Sequence, residues 1–592
     1  MAKFKKTLIV SLAALLAASS VVGLAACGQG EDDDGGKGGN TKLTTLQFWG
    51  SGDADELKVF GNIVKEFNKT IGAEKKIKVE YSGNHEDPGN NALQLSGNNP
   101  PDVIYVPDRH LKSWVSAGYL ENLTNPDGSA KYDGLEEFTA PGKIWDQGIQ
   151  RYRFDIATAT STPTSVLWAL PKDIGPTVLY YNREYMEEMG IEHISLDPTD
   201  AEFVSKGYPE KGYFQHTDGK WYFNNRVPMS WDETTTLAMK MQKEVDACKY
   251  GYFTEWWFNY GWSIGGDCVE YVPEGNDADG NPMGYYEFTL NDTTVNWIVK
   301  DDCKEAVKVN GNEYKAGEII SYTDKKALTE AQKQNCNQLP SMKDAFIEFA
   351  ALTAPETELA GITSKGVEVY GKSVSMGQES IGAQSARDRF SAGSFGMFVG
   401  GRWEVTHLRK KIGTAGSWMK DNESWDVAPL PVYKEYDADG NITVHGVQAG
   451  HSGSMGLAIA RGSKKKQAAW ELVKYIAGTP GQTSQAEAGF CIPNQIDIAK
   501  TDVFLQPTQA PLNAQVFVDA AQYETPGDWW YLKDADWIDD WANCLNNEVR
   551  EPNSQNHKTV DELFSLWGAS TQTALYKYTY SSKNLAAKPK NN

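Results

Sequence analysis

The amino-acid sequence predicts an α/β fold, because strand and helix patterns alternate from residue 43 onward. Residues 43–49 and 77–83 are typical of strands, and residues 55–68 between them carry apolar side chains at helical spacing. A strand–helix–strand unit of this length favours a parallel pair with a right-handed crossover. The same alternation recurs at 100–123 and at 169–191, where near-continuous apolar strands precede helical segments.

The later part of the chain continues this pattern around one different region. Residues 265–340 are rich in Gly, Asp and Asn, and their short alternating strands with an Asn-Gly turn at 310–311 predict hairpins inserted into a lobe. Strands are predicted again at 396–403 and 425–432, and a basic-faced helix is predicted at 463–478.

The N-terminus predicts export. Three lysines in MAKFKK precede an apolar run at 8–26 that is typical of a signal peptide. The run is also just long enough to span a bilayer, so hydrophobicity alone leaves a transmembrane helix open. The residues LAAC at 24–27 resemble the bacterial lipobox, which implies a signal peptide at 1–26 and diacylation of Cys27. Residues 27–42 are acidic and Gly-rich, a composition that favours a flexible tether.

Composition limits the possible partners and the number of domains. The formal net charge is −22, and removing residues 1–26, which hold three lysines and no acidic residue, would make it −25. Such a chain repels nucleic acid and anionic headgroups. Its length of 592 residues predicts two or more domains. Many of the 19 Trp and 28 Tyr are expected in cores, and exposed ones would suit flat ligands.

Short chemical motifs are weak in this sequence. Gly261-Trp262-Ser263-Ile264-Gly265 matches the GxSxG pattern of a nucleophile elbow, but a turn-rich loop follows where the elbow needs a helix. DADGN at 277–281 and 437–441 would place Tyr286 and Gly446 at the acidic twelfth position of a calcium loop, so hairpin turns explain both copies better. We expect no metal, no cofactor and no catalytic constellation.

The cysteines after Cys27 have no zinc-site spacing, whereas export permits disulfides. Cys303 and Cys336 flank the hairpin-like part of the insert, and we predict that they pair across it. Pairing of Cys248 with Cys268 is the alternative.

Several stretches between residues 48 and 495 carry a family resemblance in a fixed order. They are FWGSGDADELKVFGNIVKEFN, SGNNPPDVIYV, GYLENL, ALPKDIGPTVLYYN, VPMSWDET, FSAGSFGMFVGGRW, WDVAPLPV and GLAIARGSKKKQAAWELVKYIAGTPGQTSQAEAGFCIPN. In this order they resemble the family 1 extracellular solute-binding proteins of bacterial ABC sugar importers, which include maltose-binding protein. The insert at 265–340 and a long loop at 192–229 depart from that pattern and are expected to alter the rim of the cleft.

The resemblance implies a two-lobed, periplasmic-binding-protein-like α/β fold with a ligand cleft between the lobes and a multi-strand hinge. By analogy the chain crosses between lobes near 164–170, 397–402 and 449–455. This assigns residues 43–168 and 401–452 to the N-terminal lobe, and residues 169–400 and 453–592 to the C-terminal lobe. Ligand contacts to both lobes would shift the hinge equilibrium towards closure.

The resemblance also implies a monomeric receptor, anchored by lipid at the extracellular face of the cell membrane, that is not an enzyme. It would capture a carbohydrate, with an oligosaccharide favoured, and deliver it to the permease subunits of an ABC transporter. A peptide or polyamine would fit the same fold, since acidic clefts favour cations. An exported glycoside hydrolase is a further alternative, which requires two carboxylates at a fixed separation.

Sugar rings need aromatic platforms and short polar groups, and strand ends face the cleft in doubly wound lobes. Trp49, Asp108, Arg109 and Trp403 end predicted strands and are expected ligand contacts, as are the clustered Trp256, Trp257 and Trp262. The family resemblance adds Trp529 and Trp530, because that family often places a stacking aromatic residue at the start of the C-terminal helical region. For any one Trp, a core position is an equally good interpretation. Trp231 is assigned to the core, because SWDET predicts a helix N-terminus with an anchoring aromatic residue.

Overall fold

Two five-stranded sheets organise the protein, which is described by a computed structural model. The structure describes residues 42–575 except 157–160, 277, 279–281, 356–362, 365–366, 369, 378–382, 524–540 and 552–554. In chain order the strands are β1 (Thr44–Trp49), β2 (Ile77–Ser82), β3 (Val103–Pro107), β4 (Ala169–Pro171), β5 (Gly175–Asn182), β6 (Ile191–Ile194), β7 (Tyr213–Gln215), β8 (Trp221–Asn224), β9 (Tyr250–Phe253), β10 (Val269–Asn276), β11 (Pro282–Phe288), β12 (Val295–Val299), β13 (Val307–Val309), β14 (Asn312–Tyr314), β15 (Cys336–Ser341), β16 (Thr363–Ser364), β17 (Val367–Glu368), β18 (Phe395–Gly401), β19 (Trp425–Ala428), β20 (Lys434–Tyr436), β21 (Ile442–His445), β22 (Ser452–Gly453) and β23 (Met455–Ile459).

Helices connect these strands. The longer ones are Ala54–Lys69, Pro88–Leu95, Asp108–Ser116, Trp231–Glu244, Met342–Ala351, Ala383–Ser391, Lys466–Ala477 and Thr479–Ala488. The shorter ones are Ile71–Lys75, Glu136–Thr139, Asp146–Gln150, Arg183–Glu188, Ala201–Lys206, Asn259–Trp262, Tyr322–Lys325, Glu330–Lys333, Arg402–Glu404, Val405–Arg409, Ile496–Ala499, Asp502–Leu505, Gln515–Ala520, Leu545–Val549, Val560–Leu563, Phe564–Gly568 and Ala569–Leu575.

The first sheet has the strand order β2-β1-β3-β23-β4. β1 pairs in parallel with both β2 and β3, which confirms the predicted strand–helix–strand opening. The helix Ala54–Lys69 begins where the Asp53 carboxylate accepts hydrogen bonds from the backbone N–H groups of Asp55 and Glu56. Its buried residues, which include Phe60 and Phe67, join the core of this first lobe.

The second sheet has the order β19-β5-β18-β9, and β22 also pairs with β5. β18 runs parallel to β9 and antiparallel to β5, so β9 and β18 end at the same edge of the sheet. One core of this second lobe includes Tyr180 and Trp425, and another includes Trp231 and Trp262. Trp231 is therefore a core residue, as the sequence predicted, and a capping box at Ser230 starts its helix.

The sheets correct the expected division of the chain. β19, within 401–452, belongs to the second sheet, whereas β23 and the helix Lys466–Ala477, within 453–592, belong to the first sheet and its core. The chain passes between the sheets at residues 172–174, from β4 to β5, and at residue 454, from β22 to β23. The crossing expected near 397–402 is wrong, because β18 stays within the second sheet. Sheet membership depends on hydrogen bonds between distant strands, which local sequence patterns do not specify.

The insert at 265–340 folds into hairpins, as predicted. β13 and β14 flank a tight turn in which Asn310 and Gly311 have φ values of 49° and 90°, the left-handed region that an Asn-Gly turn favours. A small separate core lies beneath this hairpin and contains Val299, Val307, Val309, Ile320, Leu328 and Cys336. The segment 192–229 is not a loop, since β6, β8 and β7 form a three-stranded sheet there.

The predicted disulfide between Cys303 and Cys336 is not formed. Both thiols are free, and the Cys303 Sγ lies 3.2 Å from the carbonyl oxygen of Glu305, to which it donates. The alternative pair is also reduced, since Cys248 donates to the Tyr250 carbonyl and Cys268 to the Asp267 carboxylate. Cys248, Cys268 and Cys303 thus each have a nearby oxygen acceptor. Cys303 packs against the small insert core that contains Cys336, without a bond between the two sulfurs.

The predicted signal peptide, the tether and Cys27 lie outside the described residues. Among the residues that the structure does describe, none of the helices combines the length and apolar character needed to cross a bilayer.

Candidate ligand-binding cleft

A cavity of about 510 Å³ is lined by both sheets and by the segments that connect them. The first lobe contributes Glu56, Pro107, Asp108 and Arg109, and the second lobe contributes Trp256, Trp257, Phe258, Arg402, Trp403 and Ala542. The two passages between the sheets and the residues beside them contribute Lys172, Asp173, Ile174, Gly175, His451, Gly453, Ser454 and Met455. The segment after the helix Thr479–Ala488 contributes Phe490 and Cys491. A cleft of this size, lined mainly by apolar groups with a few charged ones, is typical of small-molecule sites.

The first-lobe wall is built at the carboxyl end of β3. Asp108 and Arg109 follow that strand directly, and Glu56 lies in the first turn of the helix after β1. Because parallel strands end at one edge of a sheet, these side chains reach the same side of the cavity. The Asp108 carboxylate accepts a hydrogen bond of 2.5 Å from the Arg151 guanidinium, and both side chains are buried.

A buried lysine lies behind this ion pair. Lys112 is fully buried, and its ammonium group donates to the carbonyl oxygen of Arg151. Burial lowers the pKa of Lys112 to about 7, and the charge of Arg151 adds to that effect while Asp108 opposes it. The Asp108 carboxylate therefore pairs with Arg151 and lies close enough to Lys112 for their charges to interact.

The first connecting segment adds a second buried ion cluster. The ammonium group of Lys172 lies 2.7 Å from Glu56 and 2.6 Å from Asp173, and the Lys172 side chain is 3% exposed. Burial opposes its charge, but Asp173 and Glu56 hold the pKa of Lys172 well above its ordinary value. The ammonium group also lies 5.0 Å from the ring centre of Phe60. This cluster fixes the helix that carries Glu56 against the connecting segment.

The second-lobe wall is aromatic and follows the carboxyl ends of β9 and β18. Trp256 stacks on His451 with ring centres 4.1 Å apart and planes 7° apart. Burial lowers the pKa of His451 well below its ordinary value, and the charge of Arg151 adds to this, so the stacked imidazole is neutral. Trp257 and Phe258 continue the same wall in an edge-on arrangement.

Trp403 completes this wall because two glycines make room for it. A Cβ atom at Gly401 would lie 2.0 Å from the Trp403 ring, and one at Gly175 would lie 3.0 Å from it. The indole N–H of Trp403 donates a hydrogen bond of 2.9 Å to the Glu404 carboxylate. The ring is thus held against the backbone of β18 and β5 while part of it remains exposed.

The cavity brings together five of the residues expected from the sequence, namely Asp108, Arg109, Trp256, Trp257 and Trp403. Trp262 is fully buried in the second-lobe core and does not line the cavity, so its place in the expected site is corrected. Trp49 is half-buried and stacks on His85 at 3.9 Å, outside the lining of this cavity. Trp529 and Trp530 lie outside the described residues.

Sequence reasoning missed the lining residues of the connecting segments. Lys172, His451 and Phe490 lie in the stretches PKDIG, GHSGSM and GFCIPN, the last of which closes the family resemblance. The signal for PKDIG and GHSGSM was their position between strands of different sheets, whereas GFCIPN follows the helix Thr479–Ala488 and gave no such signal. A choice of residues by aromatic clustering does not include these stretches.

The weak motifs form no catalytic arrangement. Ser263 is fully buried and donates to the Tyr260 carbonyl within a short helical turn, so the GxSxG match is not a nucleophile elbow. The DADGN copy at 437–441 is the turn between β20 and β21, as predicted, and the copy at 277–281 lies almost entirely outside the described residues. Within the described ranges, His, Cys, Asp and Glu side chains form no group that could hold a metal ion.

Comparison with known proteins gives the family. Residues 62–511 match the model of the bacterial extracellular solute-binding proteins, which is more than half of the chain. The chain belongs to this family. No curated protein sequence matches that of this solute-binding protein.

Solved structures share the two-lobed fold of this solute-binding protein. An ABC substrate-binding protein of Listeria monocytogenes in complex with cycloalternan is 14% identical, with a TM-score of 0.52 over 90% of this chain and 99% of that one. The maltose-bound T. maritima MalE3 is 14% identical, with a TM-score of 0.52 over 90% and 100%. The GacH receptor of Streptomyces glaucescens, solved unliganded and with acarbose, is 16% identical, with a TM-score of 0.53 over 90% and 98%. At these identities the likeness establishes the fold.

Proposed function

We propose that this solute-binding protein captures a carbohydrate, with an oligosaccharide favoured, in the cavity between its lobes and delivers it to the permease of an ABC transporter. The observation that carries the proposal is the composition of the cavity, where one wall holds charged groups in ion pairs and the opposite wall holds aromatic rings. The three similar structures supply a consistent context, because they were solved with cycloalternan, maltose and acarbose bound.

The chemistry of a pyranose ring suits these two walls. One face of the ring presents aliphatic C–H groups, which stack on Trp256, Trp403 and Trp257, and its rim presents hydroxyl groups, which hydrogen-bond to carboxylates and cations. Asp108 and Arg109 are our leading polar contacts, and Glu56 and Asp173 are neighbouring acceptors. A site with several platforms favours a chain of sugars over a single ring.

Two alternatives, a cationic ligand and a glycoside hydrolase activity, fit the cavity less well. A polyamine or basic peptide needs carboxylates without cationic partners, yet Glu56 and Asp173 share Lys172, and Asp108 is paired with Arg151. A glycoside hydrolase needs one protonated carboxylic acid and one free carboxylate that both reach the ligand. The three carboxylates that line the cavity are held in ion pairs, so none of them is a free carboxylate. The pairing therefore favours a neutral, hydroxyl-rich ligand that is bound without turnover.

The direct test is calorimetric titration of the purified protein with α- and β-linked oligosaccharides, followed by chromatography of the recovered sugar. We expect saturable binding, tighter for short chains than for single sugars, with the sugar recovered intact. Shorter products would identify a hydrolase. Binding of polyamines or peptides with no sugar binding would replace carbohydrate with that class.

We also propose that Cys27 is the diacylated N-terminal residue that anchors the protein at the extracellular face of the membrane. The support is LAAC at 24–27 behind a basic and apolar leader, followed by an acidic, Gly-rich tether. In cell fractionation, Cys27→Ala should remain unprocessed or be shed into the medium, while Cys303→Ala serves as a control that stays anchored. A Cys27→Ala protein that still resists alkaline extraction from membranes would identify a transmembrane anchor.

A further inference from the structure

Glu404 lies between the aromatic wall of the cavity and the first lobe. Its carboxylate accepts the indole N–H of Trp403 at 2.9 Å with one oxygen, and its other oxygen lies 3.4 Å from the guanidinium group of Arg387. The same Arg387 nitrogen lies 3.8 Å from the carboxylate of Asp53, the N-cap residue of the helix Ala54–Lys69. The Glu404 side chain is 2% exposed and the Arg387 side chain 10%.

This chain of contacts links the two lobes. Trp403, Glu404 and Arg387 belong to the second lobe, since they lie on or beside β18, whereas Asp53 belongs to the first lobe. A neighbouring ion pair between Lys410 and Asp55 also joins second-lobe and first-lobe residues, without any contact to Trp403. The first turn of the helix after β1 is thus held from the second lobe at two points, and its Glu56 lines the cavity.

We propose that Glu404 is a positioning residue that holds the Trp403 ring in the cavity wall and couples it, through Arg387, to closure of the first lobe at Asp53. This proposal rests on the proposed function, because it treats Trp403 as a ligand platform. Closure brings Asp53 to Arg387, and Arg387 then divides its charge between Asp53 and Glu404. In the open state Asp53 is distant, and the Arg387 guanidinium group interacts with the Glu404 carboxylate alone.

The protonation of Glu404 follows from this geometry. The groups that face it are Arg387 and Trp403, which favour its charged form, and Glu255 and Asp53, which disfavour it; Tyr180 lies nearby on β5. Burial is the largest cause and raises the pKa of Glu404 to about 8 in this structure, where Asp53 lies near Arg387. Moving Asp53 away lowers that pKa, because a like charge is removed and Arg387 is released to Glu404.

The sign of the pH dependence is then fixed. The closed state binds a proton at Glu404 more tightly than the open state, so closure takes up a proton. Ligand affinity is highest below the open-state pKa and falls as the pH rises through about 8. A difference of half to one pKa unit between open and closed states corresponds to a loss of about threefold to tenfold in affinity.

The test combines ligand affinity with tryptophan emission between pH 6.5 and 9.5. Maltotetraose and the other oligosaccharides of the titration panel are the probes. The wild-type protein should lose about threefold to tenfold in affinity across this range, whereas Glu404→Gln, which keeps an acceptor for the indole N–H, should have no such pH dependence. Asp53→Asn, which keeps a good N-cap, should reduce it. The control Lys410→Gln should keep the full pH dependence.

Emission without ligand separates this proposal from the proposed function. Ionisation of Glu404 beside the Trp403 indole should shift the wild-type emission, with a midpoint about half to one unit below pH 8 because Asp53 is distant in the open state. The shift should vanish in both Glu404→Gln and Trp403→Phe. If the shift is present but no sugar binds, the proposed function fails and the Glu404–Trp403 contact stands. If the shift is absent in the wild type, or if Glu404→Gln keeps the wild-type pH dependence of affinity, the positioning role is overturned.

Discussion

The two walls of the cavity are built from different chemistry. The first-lobe wall carries Asp108 and Glu56, each held by a buried basic partner, and the second-lobe wall carries Trp256 and Trp403, each stacked or packed on a neighbour. Ion pairs fix the direction of a carboxylate oxygen, while ring faces supply apolar area with little directionality. The first lobe is therefore suited to orienting a ligand, and the second lobe to supplying most of its binding energy.

The two walls also differ in whether a substitution mainly lowers folding stability or mainly lowers ligand affinity. A buried ion pair contributes little net stability, yet breaking one partner leaves an uncompensated charge in the protein interior. A partly exposed indole can be removed with little effect on folding but with the loss of ligand contact. Variants of the first-lobe wall should therefore act mainly on stability, and variants of the second-lobe wall mainly on affinity.

The largest effect is expected for Asp108→Asn, which leaves the buried Arg151 without its carboxylate. We expect a loss of about 3–5 kcal/mol in the free energy of unfolding, measured by urea denaturation. The matched control is Lys143→Gln, which breaks the more exposed pair with Asp497 and should leave the unfolding midpoint unchanged. A loss below about 1 kcal/mol in Asp108→Asn would contradict the view that this wall is held by its ion pairs.

The next effect concerns Lys112, whose pKa is lowered by burial to about 7 in the folded protein from 10.5. Between these values folding releases a proton, so the penalty of burying this charge is full below pH 7 and fades as the pH rises. Relative to Lys112→Met, the wild type should gain about 2–3 kcal/mol in unfolding free energy from pH 7.5 to 9.5. As a control, Lys58→Met replaces an exposed lysine, and its unfolding free energy should change with pH as that of the wild type does. If the unfolding free energies of the wild type and Lys112→Met change with pH in parallel, Lys112 does not lose its charge on folding in this pH range.

On the second-lobe wall, Trp256→Ala and Trp403→Ala should each weaken oligosaccharide binding by about tenfold to a hundredfold, or roughly 1–3 kcal/mol, through lost stacking and buried area. Titration calorimetry measures the affinity, and thermal unfolding checks the fold. Trp297→Ala, a half-buried indole in the insert, is the control and should bind as the wild type does. Unchanged affinity in both wall variants, with folding intact, would place the ligand elsewhere.

The smallest effect is expected for Lys410→Gln, which breaks the exposed pair between the lobes at Asp55. Surface ion pairs contribute about 0–1 kcal/mol, so affinity should fall less than about fivefold at low salt, and the difference should disappear near 1 M salt. Titrations at two salt concentrations measure this. A larger effect that persists at high salt would mean that closure depends on this pair more than on the aromatic wall.

Local sequence patterns gave the order and type of many elements. The apolar alternation at 43–49, the N-cap and helical spacing at 53–68 and the Asn-Gly turn at 310–311 each specify their structure within a few residues. The strand patterns placed Asp108 and Trp403 at strand ends, and the family resemblance indicated the two-lobed architecture. These features could be predicted because they depend on short-range backbone preferences or on motifs carried in sequence.

Tertiary structure decided the rest. Trp256 and Trp262 lie six residues apart in one aromatic cluster, and only packing makes the first a cavity wall and the second a core residue. The sheet to which β19 or β23 belongs is likewise set by hydrogen bonds to strands far away in the chain. Lys172 joins Glu56 over more than one hundred positions of sequence. Burial, strand register and ion pairing between residues so far apart in sequence arise only when distant segments of the chain meet. The sequence alone therefore determined the elements and the fold family, whereas the folded chain determined which residues form the site.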